Sequence, residues 1–498
     1  MIKMKKEDIC FMSACDMLDK IKSQELNSLE ITEAIIERIE KINPIINAYC
    51  TLTFDLAREA AKKADDAVKK GEKLGLLHGI PTSIKDEVET KGIRSTFGCK
   101  IFENYIPTED DVAVKRLKDA GIVMLGKTNL PPFGFAPITN NLIFGRTKNP
   151  WNLKKNPGGS SGGAAAAVAA GLGPLALGGD GGGSIRIPSS FCGTYGIKPN
   201  FGRVPHLFAK LGGTAATISQ GGPIVRTVKD AALMLDVLVG PDDSDKYSIP
   251  KPNYSFLEKL KEIPKNLKIG YSFDLGNVMA IDPEVRSSVL NSTDKFNEFD
   301  WAVEESDLIN LKDSKQTLLG VKRPKIREPF LVLGTIWATS FAHILDVTKL
   351  LKKWEDKMDP TLVMMIRMGE KFTAKDIKVA EIQMEMMNEN IAKHFKKYDI
   401  LITPTTTITA IRLRATLLDL VEVDGKKVST NDWISFTYPF NLSGHPAASI
   451  PCGWSKDGLP IGMQIVGKRF DEVKVLQVSK AFEDVAPWQD KRPTFETL

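Results

Sequence analysis

Two glycine clusters constrain this chain more than any other feature: Gly158-Gly-Ser-Ser-Gly-Gly163, which leads into an alanine-rich helix, and Gly178-Gly-Asp-Gly-Gly-Gly-Ser-Ile-Arg-Ile-Pro188 shortly after it. Glycine loses more backbone freedom on folding than any other residue. Clusters therefore mark special φ/ψ values or close approach of the backbone to something bound. Tight turns around a buried helix would explain either cluster alone. Two clusters, each carrying serine, point to a site.

The rest of the composition is that of an ordinary globular chain. Of 498 residues, 42% are hydrophobic and 26% charged, which excludes a disordered, collagenous or disulfide-scaffold protein. The net charge of +5 is spread in short pairs such as Lys154-Lys155, Lys352-Lys353 and Lys396-Lys397, so no nucleic-acid patch stands out. The five histidines (78, 206, 343, 394 and 445) show no metal-binding spacing, and no metal site is expected. The six cysteines contain no C-x-x-C pair and read as reduced, mostly buried thiols of a cytoplasmic protein. The N-terminus lacks an apolar stretch of signal-peptide type, and the longest uncharged run, 156–179, is broken by prolines and glycines. Neither secretion nor membrane insertion is expected.

Periodicity reads as α/β. Ile31, Ile35, Ile39 and Ile42 form one face of a helix over 28–42, capped by Ser28 and ending before Asn43-Pro44. Further helices are expected over about 54–71, 111–120 and 471–485, with a capping-box spacing at Thr227-Val-Lys-Asp230. Strands are expected at 80–85, 121–126, 267–271, 400–403, 447–451 and 460–466. Length alone allows about three domains. Without a repeat or a usable linker, the sequence reads as one domain over 1–498, with a Met-rich helical insertion at about 305–395.

Three strings imitate known motifs. Gly121-Ile-Val-Met-Leu-Gly-Lys-Thr128 matches a Walker A string, which would make the chain a nucleotide-binding ATPase. Its bulky interior cannot wrap amides around phosphate, and Pro131-Pro132 follows where a helix should start, so a buried strand is expected. Gly158-Gly-Ser-Ser-Gly162 matches a nucleophile elbow, with Ser160 attacking and His445 as base, but no strand precedes it; His445 is expected in a turn. Ser292-Thr-Asp-Lys295 matches S-x-x-K and is expected on a solvated helix face.

The remaining constellation is Gly79-Ile-Pro-Thr-Ser-Ile-Lys85-Asp, Gly158-Gly-Ser160-Ser-Gly-Gly and Gly181-Gly-Gly-Ser184-Ile-Arg. With Asn149-Pro-Trp-Asn152, Phe191-Cys-Gly193, Gly196-Ile-Lys-Pro199 and Pro439-Phe-Asn-Leu-Ser-Gly-His-Pro446, these strings resemble the amidase signature family, most densely over 79–226. The resemblance implies an α/β fold with a central mixed β-sheet flanked by helices on both faces. It also implies Ser184 as nucleophile, Ser160 as a bridging serine after a cis peptide from Gly159, and Lys85 as base. Asp180 and Arg186 would support the glycine loop, and Ser161 would either orient the site or cap the alanine-rich helix.

The chemistry is consistent with that assignment. A serine hydroxyl needs a neighbouring base, and without histidine a neutral lysine must serve. An exposed lysine titrates near ~10.4, so Lys85 would need desolvation to approach about 7–8. Asp86 opposes that shift unless, as a strand neighbour, it faces the other way. The amides of Gly181, Gly182, Gly183 and Ser184 are the expected oxyanion hole. Many relatives carry Thr or Ser before this aspartate and a non-glycine after it, whereas this chain has Gly179-Asp180-Gly181.

The expected reaction is hydrolysis of a small aliphatic or aryl amide through an acyl-enzyme at Ser184, without cofactor. Ester or carbamate cleavage, and the A subunit of a tRNA-dependent amidotransferase, are the alternatives; the latter's Arg-Arg pattern is not found near Asp359-Pro-Thr. Expected partners are a small-molecule amide and water, with neither nucleic acid nor membrane, and homodimerisation is left open. Seven of fifteen methionines fall between Met358 and Met387, either as adaptable core packing or as a pliable wall for acyl groups.

Overall fold

The computed structural model describes residues 4–205, 214–313, 317–318, 321–322, 328–347, 349 and 353–495. His206, Lys352 and parts of the 305–395 insertion lie outside the described residues. Eleven strands form one mixed sheet: β1 Tyr49–Leu52, β2 Pro81–Lys85, β3 Val123–Thr128, β4 Leu175–Asp180, β5 Tyr195–Lys198, β6 Gln220–Val225, β7 Lys268–Tyr271, β8 Ala302–Glu305, β9 Ile400–Pro404, β10 Ala447–Trp454 and β11 Pro460–Gly467. Their spatial order is β1-β3-β2-β4-β6-β5-β10-β11-β9-β7-β8. β2 runs parallel to both β3 and β4, whereas β4, β6, β5, β10, β11 and β9 pair antiparallel in turn.

Alternation along the late strands shows why both faces are covered. Ile400 and Ile402, Ala448 and Ile450, and Met463 and Ile465 enter the larger core, while Leu401, Ala447 and Val466 enter a second one. Successive side chains point to opposite faces, so each face needs its own helical cover. Ser28–Ile46 supplies part of it through Ile31, Ile35, Ile39 and Ile42, all buried. Each such side chain contributes roughly 1.5–3 kcal/mol.

Several local expectations change. The first amphipathic helix is capped by Asn27 in a capping box with Glu30, and it continues through Pro44 to Ile46. Ser28 instead donates to the Gly79 carbonyl at 2.8 Å. Thr227 caps Asp230 N–H as its spacing predicts, but the Asp230 carboxylate accepts from Ala14 and Cys15 amides. Ser292 is buried, its hydroxyl within hydrogen-bond reach of the Ser288 and Cys452 carbonyls, while Asp294 and Lys295 of the same string are exposed, so only the second half is solvated. The Walker-like string forms β3, where Lys127 donates to Val88 O, Thr90 Oγ1 and Ser95 Oγ. No helix among the described residues is long and apolar enough to cross a membrane, and all six cysteines are free.

Candidate active site

Lys85 ends β2 with its side chain only 1% exposed, and its ammonium donates to Ser160 Oγ at 2.7 Å. Burial pushes its proton affinity below that of an ordinary lysine, against the carboxylates of Glu87 and Asp180, which raise it. Asp86 turns away, as strand alternation predicts, and accepts from the Thr96 amide and hydroxyl. The acid beside Lys85 is Glu87, whose Oε1 lies 2.8 Å from Nζ. Sequence reasoning missed it because the chain leaves β2 in a turn, closed by Val88 N–H to Lys85 O at 3.0 Å. That turn folds Glu87 back onto the lysine.

Ser160 is buried and follows a cis peptide from Gly159. Ser161 precedes the alanine-rich helix Gly162–Ala169 without capping it through its side chain. Its hydroxyl donates to Gly179 O at 3.1 Å and accepts from Gly179 N–H at 3.2 Å, while its amide donates to Ser184 O at 3.1 Å. Ser161 therefore ties the two glycine clusters together.

Asp180 and Arg186 are both fully buried, so this is no surface ion pair. Arg186 reaches both Asp180 oxygens at 2.9 Å and donates also to Thr437 O, Gln464 Oε1 and Asn441 Oδ1. Burial alone would raise the Asp180 carboxyl; Arg186, Lys198 and Asn441 hold it well below the usual carboxylate range. Asp180 also accepts from Gly183 N–H at 2.7 Å and Ile185 N–H at 3.2 Å. The Gly183 amide thus belongs to the scaffold of the loop, a correction to its expected place among the oxyanion donors. Gly183 has φ +126°, and a Cβ there would lie 2.5 Å from Thr437 Oγ1, so the turn admits only glycine. The clamp residues Thr437, Asn441 and Gln464 went unassigned in the sequence, although Asn441 lies inside the late Pro-Phe-Asn-Leu string.

Ser184 and Gly182 line a cavity of about 280 Å³. Its other walls include Phe135, Ile187, Phe330, Leu333, Trp337, Leu417 and Ile434 with the polar Thr361, Thr430 and Asn431, and no charged residue lines it among the described residues. Met364, Met365 and Met368 stand at this cavity, whereas Met358, Met386 and Met387 are core residues. The methionine-rich segment is thus partly wall and partly packing. His445 contacts Ser443 Oγ at 2.9 Å and stacks on Phe395, and burial with nearby Lys198 and Arg469 pushes its pKa down to about 3. It is a packed turn residue, and the elbow reading loses its base. Among the described residues no cluster of His, Cys, Asp or Glu could hold a metal ion.

The family model described as Amidase matches residues 30–476. The chain is 36% identical to an acylamidase of Rhodococcus erythropolis over 494 residues, covering 98% of each protein. It is also 36% identical to the A subunit of a glutamyl-tRNA(Gln) amidotransferase of Sulfurihydrogenibium, covering 96% of this chain and 98% of that one. The crystal structure of a bacterial aryl acylamidase of the amidase signature family superposes with a TM-score of 0.86 at 30% identity, covering 96% of this chain and 97% of that chain. On the match across nearly its whole length, the chain belongs to the amidase family, the amidase signature enzymes, which hydrolyse amides.

Proposed function

We propose that the chain hydrolyses an uncharged, apolar carboxylic amide, small aliphatic or aryl, through an acyl-enzyme on Ser184. Lys85, as the neutral amine, accepts the Ser160 proton while Ser160 accepts that of Ser184. Ser184 Oγ attacks the carbonyl carbon, and the developing alkoxide is stabilised by the amides of Gly181, Gly182 and Ser184. Such a donor is typically worth about 3–4 kcal/mol. Ser160 then protonates the departing amine, and water, activated through the same relay, cleaves the ester. Ser161, Asp180 and Arg186 hold the two loops in register.

The observation that carries this reading is Ser184 in a largely apolar cavity with no charged wall among the described residues, its carbonyl bonded to the amide of Ser161, next in the chain to the Ser160 that Lys85 holds at 2.7 Å. An amidotransferase working on glutamine would have to bind its ammonium and carboxylate, which are costly to desolvate unpaired. Among the described residues the cavity offers no charged partner for either. Labelling with a fluorophosphonate and mapping the adduct tests the assignment, together with a panel of amides, esters and glutamine. The adduct is expected on Ser184, with Ser184→Ala inactive on apolar amides. An adduct on Ser160, or hydrolysis of glutamine alone, overturns it.

A further inference from the structure

We infer that Glu87 is a positioning residue for the amide hydrolysis, holding the Lys85 amine against Ser160 Oγ. This rests on the reading of Lys85 as the base. Glu87 Oε1 lies 2.8 Å from Lys85 Nζ, with the two side chains 3% and 1% exposed. Nζ is therefore held between Glu87 and Ser160 Oγ, the latter at 2.7 Å.

The surrounding backbone is shaped to admit this carboxylate. A Cβ at Gly179 would lie 2.6 Å from Glu87 Oε1, and one at Gly134 would lie 2.7 Å from Oε2 and 3.1 Å from Ser160 Oγ. Two glycines from separate segments thus leave the slot in which Glu87 sits. Oε2 is buried without a hydrogen-bond partner in the structure, so the carboxylate is not placed there by a network of its own. Lys85 is its ion-pair partner.

The charged groups facing the pair are few. Asp180, at the end of β4, acts on Lys85 in the same direction as Glu87 but is itself paired with Arg186. Lys127 of β3 feels Glu87 more weakly than it feels Asp86. Asp111, which caps the helix Val112–Asp119, lines a small cavity with Glu87 and Gly179. Removing the Glu87 charge therefore removes the largest interaction that favours the protonated form of Lys85. Burial then acts nearly alone, Lys85 loses its proton at lower pH, and it becomes a weaker acceptor for the Ser160 proton.

The test is the pH dependence of kcat/KM for Glu87→Gln, Glu87→Asp and Gly179→Ala on an apolar amide cleaved by the wild type. In Glu87→Gln the acidic limb is expected to move down by about one pH unit or more, and the plateau kcat to fall about tenfold. KM should change little, because Glu87 is not in the substrate cavity. Glu87→Asp should recover part of both effects. Gly179→Ala, which crowds Oε1 while leaving the charge in place, should shift the limb in the same direction by less, and it serves if Glu87→Gln does not fold. An acidic limb that stays in place or moves up in Glu87→Gln, or in Gly179→Ala where that variant stands in for it, overturns the inference. Lys85→Ala separates the two readings. If it keeps both activity and acidic limb, Lys85 is not the base. If it is inactive while the Glu87 variants match the wild type, only the role of Glu87 fails.

Discussion

At the residue scale, the site depends on a few buried charges whose partners are all fixed. Asp180 gathers Arg186, Asn441 and the loop amides, and leaves no Arg186 fork unpaired. Breaking one side of such a pair leaves an uncompensated buried charge. Asp180→Asn should therefore cost about 3–5 kcal/mol in urea unfolding at neutral pH. The pH dependence has a definite sign. The folded-state pKa of Asp180 is depressed, so its contribution is complete above the unfolded value of about 3.9 and is lost as pH falls through the lower folded value. The stability gap between wild type and Asp180→Asn should accordingly hold from pH 5 to 8 and narrow only below about 3.9. A gap that already narrows near neutrality would contradict this account. At this scale the sequence was most legible where partners are neighbours in the chain, as with Asp180 and Arg186. It was silent on Thr437 and Gln464, which meet Arg186 from over 250 positions away.

At the scale of elements, the helix Pro329–Val347 and the shorter Pro360–Gly369 each place four residues on the cavity at Ser184. Gly334 faces the cavity from the first of these, and a Cβ added there meets nothing within 4 Å. Gly334→Leu should therefore be tolerated, gaining up to about 1 kcal/mol of helix propensity. The added side chain fills open cavity space, so KM should rise several-fold for bulky aryl amides and change little for short aliphatic ones. Equal effects on both classes would place the acyl group elsewhere. The sequence pattern located six of the eleven strands of the sheet and missed β1, β4, β5, β6 and β8, and it did not fix the ends of the elements it found. Ser28–Ile46 continues through Pro44 and ends at Asn47, in a left-handed conformation, whose N–H donates to Asn43 O at 2.7 Å.

At the scale of the molecule, the catalytic candidates stand on β2, on the turn before Gly162 and on the loop after β4, while the clamp that fixes the loop comes from residues near β10 and β11. One sheet carries both halves, and the larger core runs from Ile9 to Trp488. We therefore propose that residues 1–498 unfold as one cooperative unit. Calorimetry is expected to give one main transition, shifted as a whole by Asp180→Asn; two separated transitions would assign the halves to different domains.

The sequence by itself determined the family and the class of fold, and it named Lys85, Ser160, Ser161, Asp180, Ser184 and Arg186 as the site candidates. Each lies in a short string that carries the resemblance to the amidase signature family, so it can be read without knowing the tertiary contacts. Only the tertiary structure decided what surrounds them. It brought Glu87 to Lys85, took the Gly183 amide for Asp180, and set methionines from the 360–369 helix at the cavity while burying others in the core. These outcomes depend on which face a turn presents and on which distant segment packs against it. Such choices are made by the sum of many weak packing contacts, not by any local pattern.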